Sequence, residues 1–404
     1  MAPSAITAAT TPPHGIKTAA LTASAVYHQI EAQSGLRPLD ASKLIFTPTT
    51  TPMSVPAKGD AEAYISSQCS DHMITAVWKR ETGWESPELK PYGNLSLAPT
   101  ASVLHYATEC FEGMKVYRGY DKKLRLFRPE ANCARMLISA TRIALPAFEP
   151  SELEKLILAL LEVDGVKWLP KTGDFLYLRP TMIGSAPGLG VATPREATLF
   201  VIMTFMPSLN KEGGLRLLAS QNGVRAWPGG FGFAKVGANY GPSLMATGEA
   251  RARGYDQVLW LLNGQVTEAG ASNFFIVWKT KAGNMQLVTA PLGNKIILDG
   301  ITRRSIIQLA KERLSDELEL VERDFTMDDI VEAVNEGRIV EAFAAGTAYF
   351  VAPISAINYN DQDLDMPMYE GDSGKYTAIL KTWLMNIMYG KENHPWGVVV
   401  KEKQ

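Results

Sequence analysis

The sequence contains few of the side chains from which many catalytic sites are built. Its 404 residues include five histidines and three cysteines. Cys69, Cys110 and Cys133 form no CxxC pair, which argues against a zinc site and favours a reducing compartment. The histidines are scattered singly, so a histidine-bound metal or a Ser/His/Asp triad has few candidates. We therefore expect no metal site, and any catalysis must draw on other chemistry.

The chain also has no excess of positive or negative charge, and it has no long apolar run. Lys and Arg number 40 and Asp and Glu 42, which gives a formal net charge of −2. Because this leaves no basic field, we expect no nucleic-acid partner and no membrane association. No apolar run reaches about 18 residues, and no secretion signal is visible. The composition therefore predicts a protein that stays inside the cell and acts on small molecules.

Acidic residues are absent from the first 30 positions, in which Lys17 is the only Lys or Arg. This composition, rich in Ala, Thr and Pro, predicts a disordered tail over residues 1–40. A mitochondrial transit peptide is also poor in acidic residues but richer in Arg, and it remains the alternative. We expect a cytoplasmic protein, or a mitochondrial one if the tail is a transit peptide.

One segment divides the remaining chain. In 207-PSLNKEGG-214, Pro, Asn and two Gly interrupt regular structure, so this segment is predicted to be an interdomain linker. A small N-terminal domain over 41–206 and a large C-terminal domain over 215–404 follow from that boundary. Both are predicted to be α+β with mixed or antiparallel sheets, and ordered structure is expected to start near Ala63.

Turn and cap signals predict several local elements. A Gly-Tyr-Asp turn between 114-MKVYRG-119 and 124-LRLFRP-129 predicts a hairpin, and Asn263-Gly264 predicts a second one with a type I′ turn. Capping boxes are predicted at Ser151 and at Thr326, each three residues before an acidic side chain. Further helices are predicted over 242–254 and 301–314, and strands over 198–205 and 216–220.

The segment 228-PGGFGFAKVGANYG-241 surrounds a single lysine, Lys235, with five glycines. It mimics a nucleotide-binding loop but lacks the GxxxxGK[ST] spacing. It could instead present an amine in a desolvated pocket, where the amine is a nucleophile toward carbonyl groups. A glycine-rich surface turn with a solvated lysine is the third interpretation, and this segment alone does not decide among them.

Six further sequence segments, before and after this lysine, support one interpretation together. They are 104-LHYATECFEGMKVYR-118, 127-FRPEANCARM-136, 176-LYLRPTMIGSAPGLGV-191, 268-EAGASNFF-275, 298-LDGITR-303 and 344-AAGTAYF-350. Over about residues 35 to 400, the chain resembles the class IV, fold-type IV aminotransferases that use pyridoxal phosphate. Within them it is most similar to the branched-chain amino acid aminotransferases. The resemblance implies a fold-type IV enzyme with two α/β domains and its cofactor at the domain interface.

The implied cofactor is pyridoxal 5′-phosphate, which needs an amine for its aldehyde and a carboxylate for its pyridine nitrogen. The resemblance implies that Lys235 forms the Schiff base and then acts as general base and acid. It also implies that Glu268 accepts the pyridinium N–H and that Tyr240 hydrogen-bonds the ring oxygen. As a residue pattern alone, Glu268 could be a surface residue and Tyr240 a core tyrosine.

The cofactor phosphate is expected at a helix start, where unpaired backbone N–H groups and the helix dipole favour anions. The resemblance implies that Ile301 and Thr302 supply that helix start and that Thr347 adds a hydroxyl. It identifies Arg135 as the phosphate arginine. Alternatively, Arg135 is a surface charge that pairs with Glu130.

The resemblance also implies a substrate pocket with aliphatic and aromatic walls. Arg179 with Tyr106 could receive the second carboxylate of glutamate, and the backbone N–H of Ala348 faces the substrate carboxylate. Many relatives have a threonine at the position of Ala271, so a side-chain hydroxyl near the substrate carboxylate is absent here and only the backbone amide remains. The implied pocket residues are Tyr106, Phe111, Tyr177, Arg179, Leu189, Val191, Ala271 and Ala348.

The implied reaction is the reversible transfer of the amino group of L-Leu, L-Ile or L-Val to 2-oxoglutarate. A homodimer is implied as well, in which the loop 188–191 and the strand of Tyr106 reach the partner subunit. Tyr349 and Ala352 stand where animal relatives have a CxxC, so no thiol switch of that kind is expected. The alternatives are a D-amino acid or R-amine transaminase, an aminodeoxychorismate-lyase-like enzyme, a kinase-like nucleotide-binding protein, and a non-catalytic binding protein.

Overall fold

The computed structural model describes residues 35–57, 59–207, 209, 211–348, 350–368 and 372–402. Most of the predicted N-terminal tail, residues 1–34, lies outside the described residues. The described chain forms two large sheets with helices packed on them. None of the helices in these ranges is long and apolar enough to cross a membrane.

The first sheet contains ten of the strands in the described ranges. In chain order they are β1 (Ile45–Phe46), β2 (His72–Lys79), β3 (Gly83–Trp84), β4 (Glu88–Pro91), β5 (Glu109–Phe111), β6 (Met114–Arg118), β7 (Leu124–Phe127), β8 (Phe175–Gly184), β9 (Glu196–Thr204) and β19 (Gly397–Val399). Its central strands are antiparallel and buried, and they run in the order β1-β4-β2-β9-β8-β6-β7-β19, with β3 beside β2 and β5 beside β8. The predicted β6–β7 hairpin is confirmed.

Two long helices cover one face of this sheet. The helices of this part are α1 (Ala61–Ile65), α2 (Val103–Tyr106), α3 (Pro129–Arg142) and α4 (Pro150–Trp168). Helix α4 buries Leu153, Leu156 and Leu160, whose spacing of three and four residues places them on one stripe of the helix. The predicted capping box at Ser151 is wrong. The helix begins one residue earlier, at Pro150, whose fixed φ suits a first turn, and no side chain caps it.

The second sheet closes on itself. Its strands are β10 (Leu215–Ala219), β11 (Gln257–Leu262), β12 (Gln265–Ala269), β13 (Ser272–Lys279), β14 (Met285–Thr289), β15 (Glu319–Glu322), β16 (Ile339–Gly346), β17 (Phe350–Tyr359) and β18 (Gln362–Asp365). Strands β12, β11, β10, β17, β16 and β13 pair in that order, and β12 also pairs with β13, which makes a small barrel. β14 and β15 extend the sheet from β13, and β18 pairs with β17.

Turn and cap residues set the geometry around this barrel. Asn263 and Gly264 both have positive φ, 51° and 78°, as the predicted type I′ hairpin requires. The predicted capping box of Thr326 with Asp329 is present. The helices here are α5 (Ser243–Ala252), α6 (Ile301–Arg313), α7 (Met327–Asn335) and α8 (Lys375–Met388).

Two features differ from the sequence-based expectation. Regular structure starts well before Ala63, because β1 pairs with β4 and Leu39 is buried in the core of the first sheet. The chain also returns to the first sheet at its far end, where β19 pairs with β7. In the predicted linker, Ser208 and Asn210 lie outside the described residues. The domain boundaries at 41–206, 207–214 and 215–404 therefore remain predictions.

Candidate active site

A cavity of about 380 Å³ lies where the first sheet, the barrel and the glycine-rich segment meet. Its walls come from β5, α3, β8, β12, the start of α6 and the turn after β16. It brings together twelve of the residues predicted from the sequence: Phe111, Arg135, Tyr177, Arg179, Lys235, Tyr240, Glu268, Ala271, Ile301, Thr302, Thr347 and Ala348.

The lysine of the glycine-rich segment is held firmly by its backbone. The N–H of Lys235 donates to the Ser139 hydroxyl at 2.8 Å, and its carbonyl accepts from the N–H of Phe111 at 3.1 Å. Glycine is needed at position 232, because an added Cβ would overlap the Ile296 carbonyl. The segment is therefore not a loose surface turn, and it packs against β5, α3 and the chain that precedes α6.

The side chain of Lys235 points into the cavity. Its Nζ donates to the hydroxyl of Tyr240 at 3.0 Å and lies 4.9 Å from the centre of the Phe111 ring. The amine has no ion pair among the described residues, so it remains available to a ligand. This arrangement suits an amine that must react with a carbonyl group.

Glu268 lies across the cavity on β12, at a β-bulge opposite Trp260 and Leu261. Its side chain is almost fully buried. One carboxylate oxygen, Oε1, accepts from the backbone N–H of Leu298 at 3.2 Å and from the Asn273 amide at 3.3 Å. The bulge and these two donors together fix the carboxylate in place.

The second oxygen of Glu268 is only partly satisfied. Oε2 lies 2.6 Å from Nη1 of Arg225, yet it has no well-oriented hydrogen bond among the described residues. Burial raises the pKa of Glu268, and the Arg225 charge opposes that rise. A buried carboxylate on the cavity wall, with one oxygen paired only through a poorly oriented contact, suits a ligand that brings an N–H group.

The start of α6 forms an anion site on the same side of the cavity. Gly300 precedes the helix without any side-chain cap, and Ile301 and Thr302 line the cavity in the first turn. An added Cβ at Gly300 would overlap the Asn273 side chain, so the close approach of the backbone requires glycine. The uncapped N–H groups and the helix dipole favour a bound anion.

Arg135 of α3 lies beside this helix start. Its Nη1 donates to the Asp299 carbonyl at 2.9 Å, while Nε and Nη2 bind the Glu112 carboxylate at 2.7 and 2.8 Å. The alternative pairing with Glu130 is wrong, because Glu130 lies near Arg128. We call Arg135, Lys235, Glu268 and the start of α6 the cofactor side of the cavity.

Glu112 is a functional candidate that the sequence analysis missed. It is fully buried and also accepts from the Asn132 amide at 2.9 Å. Burial alone would raise its pKa, but the Arg135 guanidinium reverses this and holds the pKa of Glu112 below its usual value. The sequence did contain an indication of this role. In 111-FEGM-114 the charged Glu112 stands among apolar residues and a glycine, and a charge that is buried in such a segment requires a partner.

The opposite wall carries a second arginine. Tyr177 and Arg179 are two residues apart on β8 and share one face of the strand. Nη2 of Arg179 donates to the Tyr177 hydroxyl at 3.2 Å, and the guanidinium lies 4.7 Å from the centre of the Phe111 ring. Its buried Nε has no hydrogen-bond partner among the described residues. We call Phe111, Tyr177 and Arg179 the substrate side of the cavity.

Two short turns complete this wall. Thr347 and Ala348 form the turn after β16, and Ala271 lies in the turn between β12 and β13. Glycine is required at position 113, because an added Cβ there would overlap the Tyr177 hydroxyl. Both turns therefore line the same cavity as Arg179.

Three predicted pocket residues lie outside the cavity. Tyr106, Leu189 and Val191 are 37%, 68% and 92% exposed. The expected strand at Tyr106 is wrong, because this residue ends the short helix α2. Of the two positions tied to a thiol switch, Ala352 is buried on β17, and Tyr349 lies outside the described residues.

Comparisons with known proteins identify relatives over most of the chain. The family model described as "Amino-transferase class IV" matches residues 109–357. The cytosolic branched-chain-amino-acid aminotransferase of Saccharomyces cerevisiae is 45% identical over 375 residues, which cover 91% of this chain and 99% of the relative. The mitochondrial branched-chain-amino-acid aminotransferase of Schizosaccharomyces pombe is 40% identical over 92% of this chain and 88% of its own length.

A solved structure shares the fold. The branched-chain aminotransferase of the thermophilic archaeon Thermoproteus uzoniensis, crystallised with norvaline, superposes with a TM-score of 0.65 and is 27% identical. The match covers 82% of this chain and 100% of that one. The ligand of that structure is an amino acid with an unbranched aliphatic side chain.

Proposed function

The chain belongs to the class IV aminotransferase family and is a pyridoxal-phosphate-dependent branched-chain-amino-acid transaminase, and we propose that the cavity described above is its active site. The fold-type IV architecture expected from the sequence is confirmed. The proposal depends above all on one observation. A free amine, a buried carboxylate with an unsatisfied oxygen and an uncapped helix start face a single cavity. These three groups match the three parts of the cofactor.

The described residues fit pyridoxal phosphate. When bound, this cofactor supplies an aldehyde and a ring that takes up electrons from the substrate. The N–H groups of Ile301 and Thr302, the Thr347 hydroxyl and the Arg135 guanidinium would hold its phosphate. A dianion suits a guanidinium fork and a helix N-terminus better than it suits a single ammonium group.

Lys235 has the central role in this proposal. Its Nζ would bind the aldehyde of the cofactor, and the free amine would take a proton from the substrate Cα and later return one. Tyr240, which accepts a hydrogen bond from this Nζ at 3.0 Å, keeps the amine in position and would bind the ring oxygen. Phe111 packs beside the amine, with its ring centre 4.9 Å from Nζ.

Glu268 holds a proton at the ring nitrogen. Its carboxylate is fixed through Oε1, which leaves Oε2 as the oxygen that would accept the ring N–H. A negative charge at this position stabilises the protonated ring, which is the form that best takes up electrons.

The substrate side selects the amino acid. Phe111 and Tyr177 offer apolar surface to the side chain, which contributes about 0.8 kcal/mol for each buried CH₂ group. The unpaired Nε of Arg179 can receive the second carboxylate when glutamate or 2-oxoglutarate binds. Backbone groups of Ala271 and Ala348 would bind the α-carboxylate of both substrates.

We further propose a homodimer. Tyr106, Leu189 and Val191 are exposed apolar residues that the chain does not use in its own cavity. In a dimer they would complete the substrate side of the partner's site. The described helices include no membrane span, and the relatives are cytosolic or mitochondrial. We propose a cytoplasmic enzyme, or a mitochondrial one if residues 1–40 form a transit peptide.

A substrate panel tests the proposed function. Purified protein supplied with pyridoxal phosphate and 2-oxoglutarate should transfer the amino group of L-Leu, L-Ile and L-Val, with glutamate measured as product. D-Ala and an R-amine serve as the competing donors. Turnover of D-Ala or the R-amine without turnover of L-Leu would contradict the proposal and favour another fold-type IV activity.

A further inference from the structure

Lys115 is a buried lysine for which the proposed mechanism has no role. It lies on β6 and is 7% exposed. No carboxylate of the described residues forms an ion pair with it. Burial lowers the pKa of Lys115 to about 8. Because a buried ammonium group without a counter-ion costs stability, its position calls for a function.

The contacts of Lys115 lead to the active site. It is the direct cross-strand partner of Tyr177, which lines the substrate side, so both side chains lie on the same face of the sheet. Its Nζ lies 4.2 Å from the centre of the Phe175 ring and donates a hydrogen bond to the carbonyl of Ala348 at 3.3 Å. The lysine thus connects the first sheet with the turn after β16 of the barrel.

A small second cavity lies between Lys115 and the anion site. It has a volume of about 20 Å³, enough for one water molecule, and Lys115, Thr302 and Thr347 line it. Thr302 and Thr347 also line the large cavity. The ammonium group therefore lies directly behind the turn of Thr347 and Ala348.

We propose that Lys115 is a positioning residue for substrate binding, whose ammonium group holds the Ala348 carbonyl and thereby fixes the turn that binds the α-carboxylate. The inference rests on the proposed function, because that function assigns the α-carboxylate to this turn. The hydrogen bond to the Ala348 carbonyl restrains this turn and so keeps the backbone N–H of Ala348 in place for the carboxylate. Both substrates carry an α-carboxylate, so both depend on the lysine.

The test compares Lys115→Met, Lys115→Gln and Lys115→Arg with the wild type as holoenzymes. Binding is measured by calorimetry with 4-methylpentanoate, a branched carboxylate that lacks an amino group, and KM and kcat are measured with L-Leu and 2-oxoglutarate. The Met and Gln variants should bind the probe with a Kd about tenfold higher than that of the wild type, and both KM values should rise by the same factor. Their kcat should change by less than about threefold. Arg should remain within about threefold of the wild type.

Two further measurements distinguish a role of Lys115 in positioning the turn from a role in the stability of the fold. The Met variant should keep the cofactor absorbance and melt at the same or a higher temperature, because a lone buried charge has been removed. Lys123→Met, an exposed lysine of the same hairpin, is the matched control and should match the wild type.

Three results would overturn the inference. Unchanged Kd and KM in Met and Gln variants that melt at a lower temperature would make Lys115 a purely structural residue. Loss of cofactor absorbance would place its action at the cofactor. A wild type that binds the cofactor but neither the probe nor L-Leu would overturn the proposed function, and this inference with it.

Discussion

The cofactor side and the substrate side of the cavity differ in how far a single chain completes them. On the cofactor side Arg135 and Glu268 each have a charged partner, Glu112 and Arg225 respectively. On the substrate side Arg179 has no carboxylate partner among the described residues, and its Nε makes no hydrogen bond. In the function that we propose, the chain builds a preorganised cofactor site, whereas the substrate site depends on a ligand and on a second chain.

The largest expected effect is at the centre of the cofactor side. Lys235→Ala should lower kcat at least about 10⁴-fold, because it removes both the covalent anchor and the proton carrier. Steady-state transamination of L-Leu measures the loss, and exogenous methylamine should restore part of it. Lys295→Ala, a lysine near Phe233, is the control. Activity of Lys235→Ala within tenfold of the wild type would assign the chemistry to another amine.

Glu268→Gln should have the next largest effect. The amide keeps the shape of the side chain but removes the negative charge that holds a proton on the ring nitrogen. We expect kcat to fall about 10²- to 10³-fold while the cofactor still binds. Single-turnover kinetics with L-Leu measure the rate of proton removal directly. A variant that loses the cofactor but keeps its rate when saturated would show that Glu268 serves binding alone.

Glu112→Gln tests whether the Glu112 carboxylate holds Arg135 in place on the cofactor side. It leaves Arg135 without its buried counter-ion, so we expect the affinity for pyridoxal phosphate to fall about 10- to 100-fold. Equilibrium dialysis of the cofactor measures this loss, and Glu130→Gln is the exposed control on the helix that carries Arg135. Equal cofactor affinity in both variants would remove Glu112 from the anion site.

The same variant has a defined pH dependence. The pKa of Glu112 is lowered in the folded protein, so its ionised form stabilises the fold above the unfolded-state pKa. That contribution is lost as the pH falls through the lowered value. The difference in unfolding free energy between wild type and Glu112→Gln should therefore shrink in acid. A difference that grows in acid would contradict the assigned ion pair.

Leu189→Ala should have the smallest effect, confined to the substrate side. If the exposed loop completes the partner's pocket, the KM for L-Leu should rise about threefold to tenfold with little change in cofactor absorbance. Ile65→Ala, at another exposed apolar residue, should change nothing. A monomeric wild type with full activity, seen by light scattering, would exclude the composite site.

Two of the predicted site residues that the structure brings into one cavity share one property. Lys235 and Glu268 stand in blocks whose composition restricts the local backbone, namely a glycine-rich segment and a strand after an Asn-Gly turn. Local patterns also sufficed for the β6–β7 hairpin and the capping box at Thr326. Such features are set by interactions between near neighbours in the chain.

The features that were missed depend on distant parts of the chain. Glu112 forms an ion pair with Arg135 on helix α3. Lys115 donates a hydrogen bond to the carbonyl of Ala348, which follows a strand of the other sheet and lies 233 residues further along the chain. The residues next to a buried charge in the sequence do not indicate which distant residue will be its partner. Leu39 was likewise assigned to the tail, because its burial depends on a sheet built by later strands.

The most direct test of the central claim is the site of covalent attachment of the cofactor. The holoenzyme is treated with borohydride, digested and analysed by mass spectrometry. We expect the phosphopyridoxyl group on the peptide of Lys235, and we expect the yellow colour to disappear with the reduction. Attachment to Lys115 or another lysine, or a protein that takes up no cofactor, would contradict it.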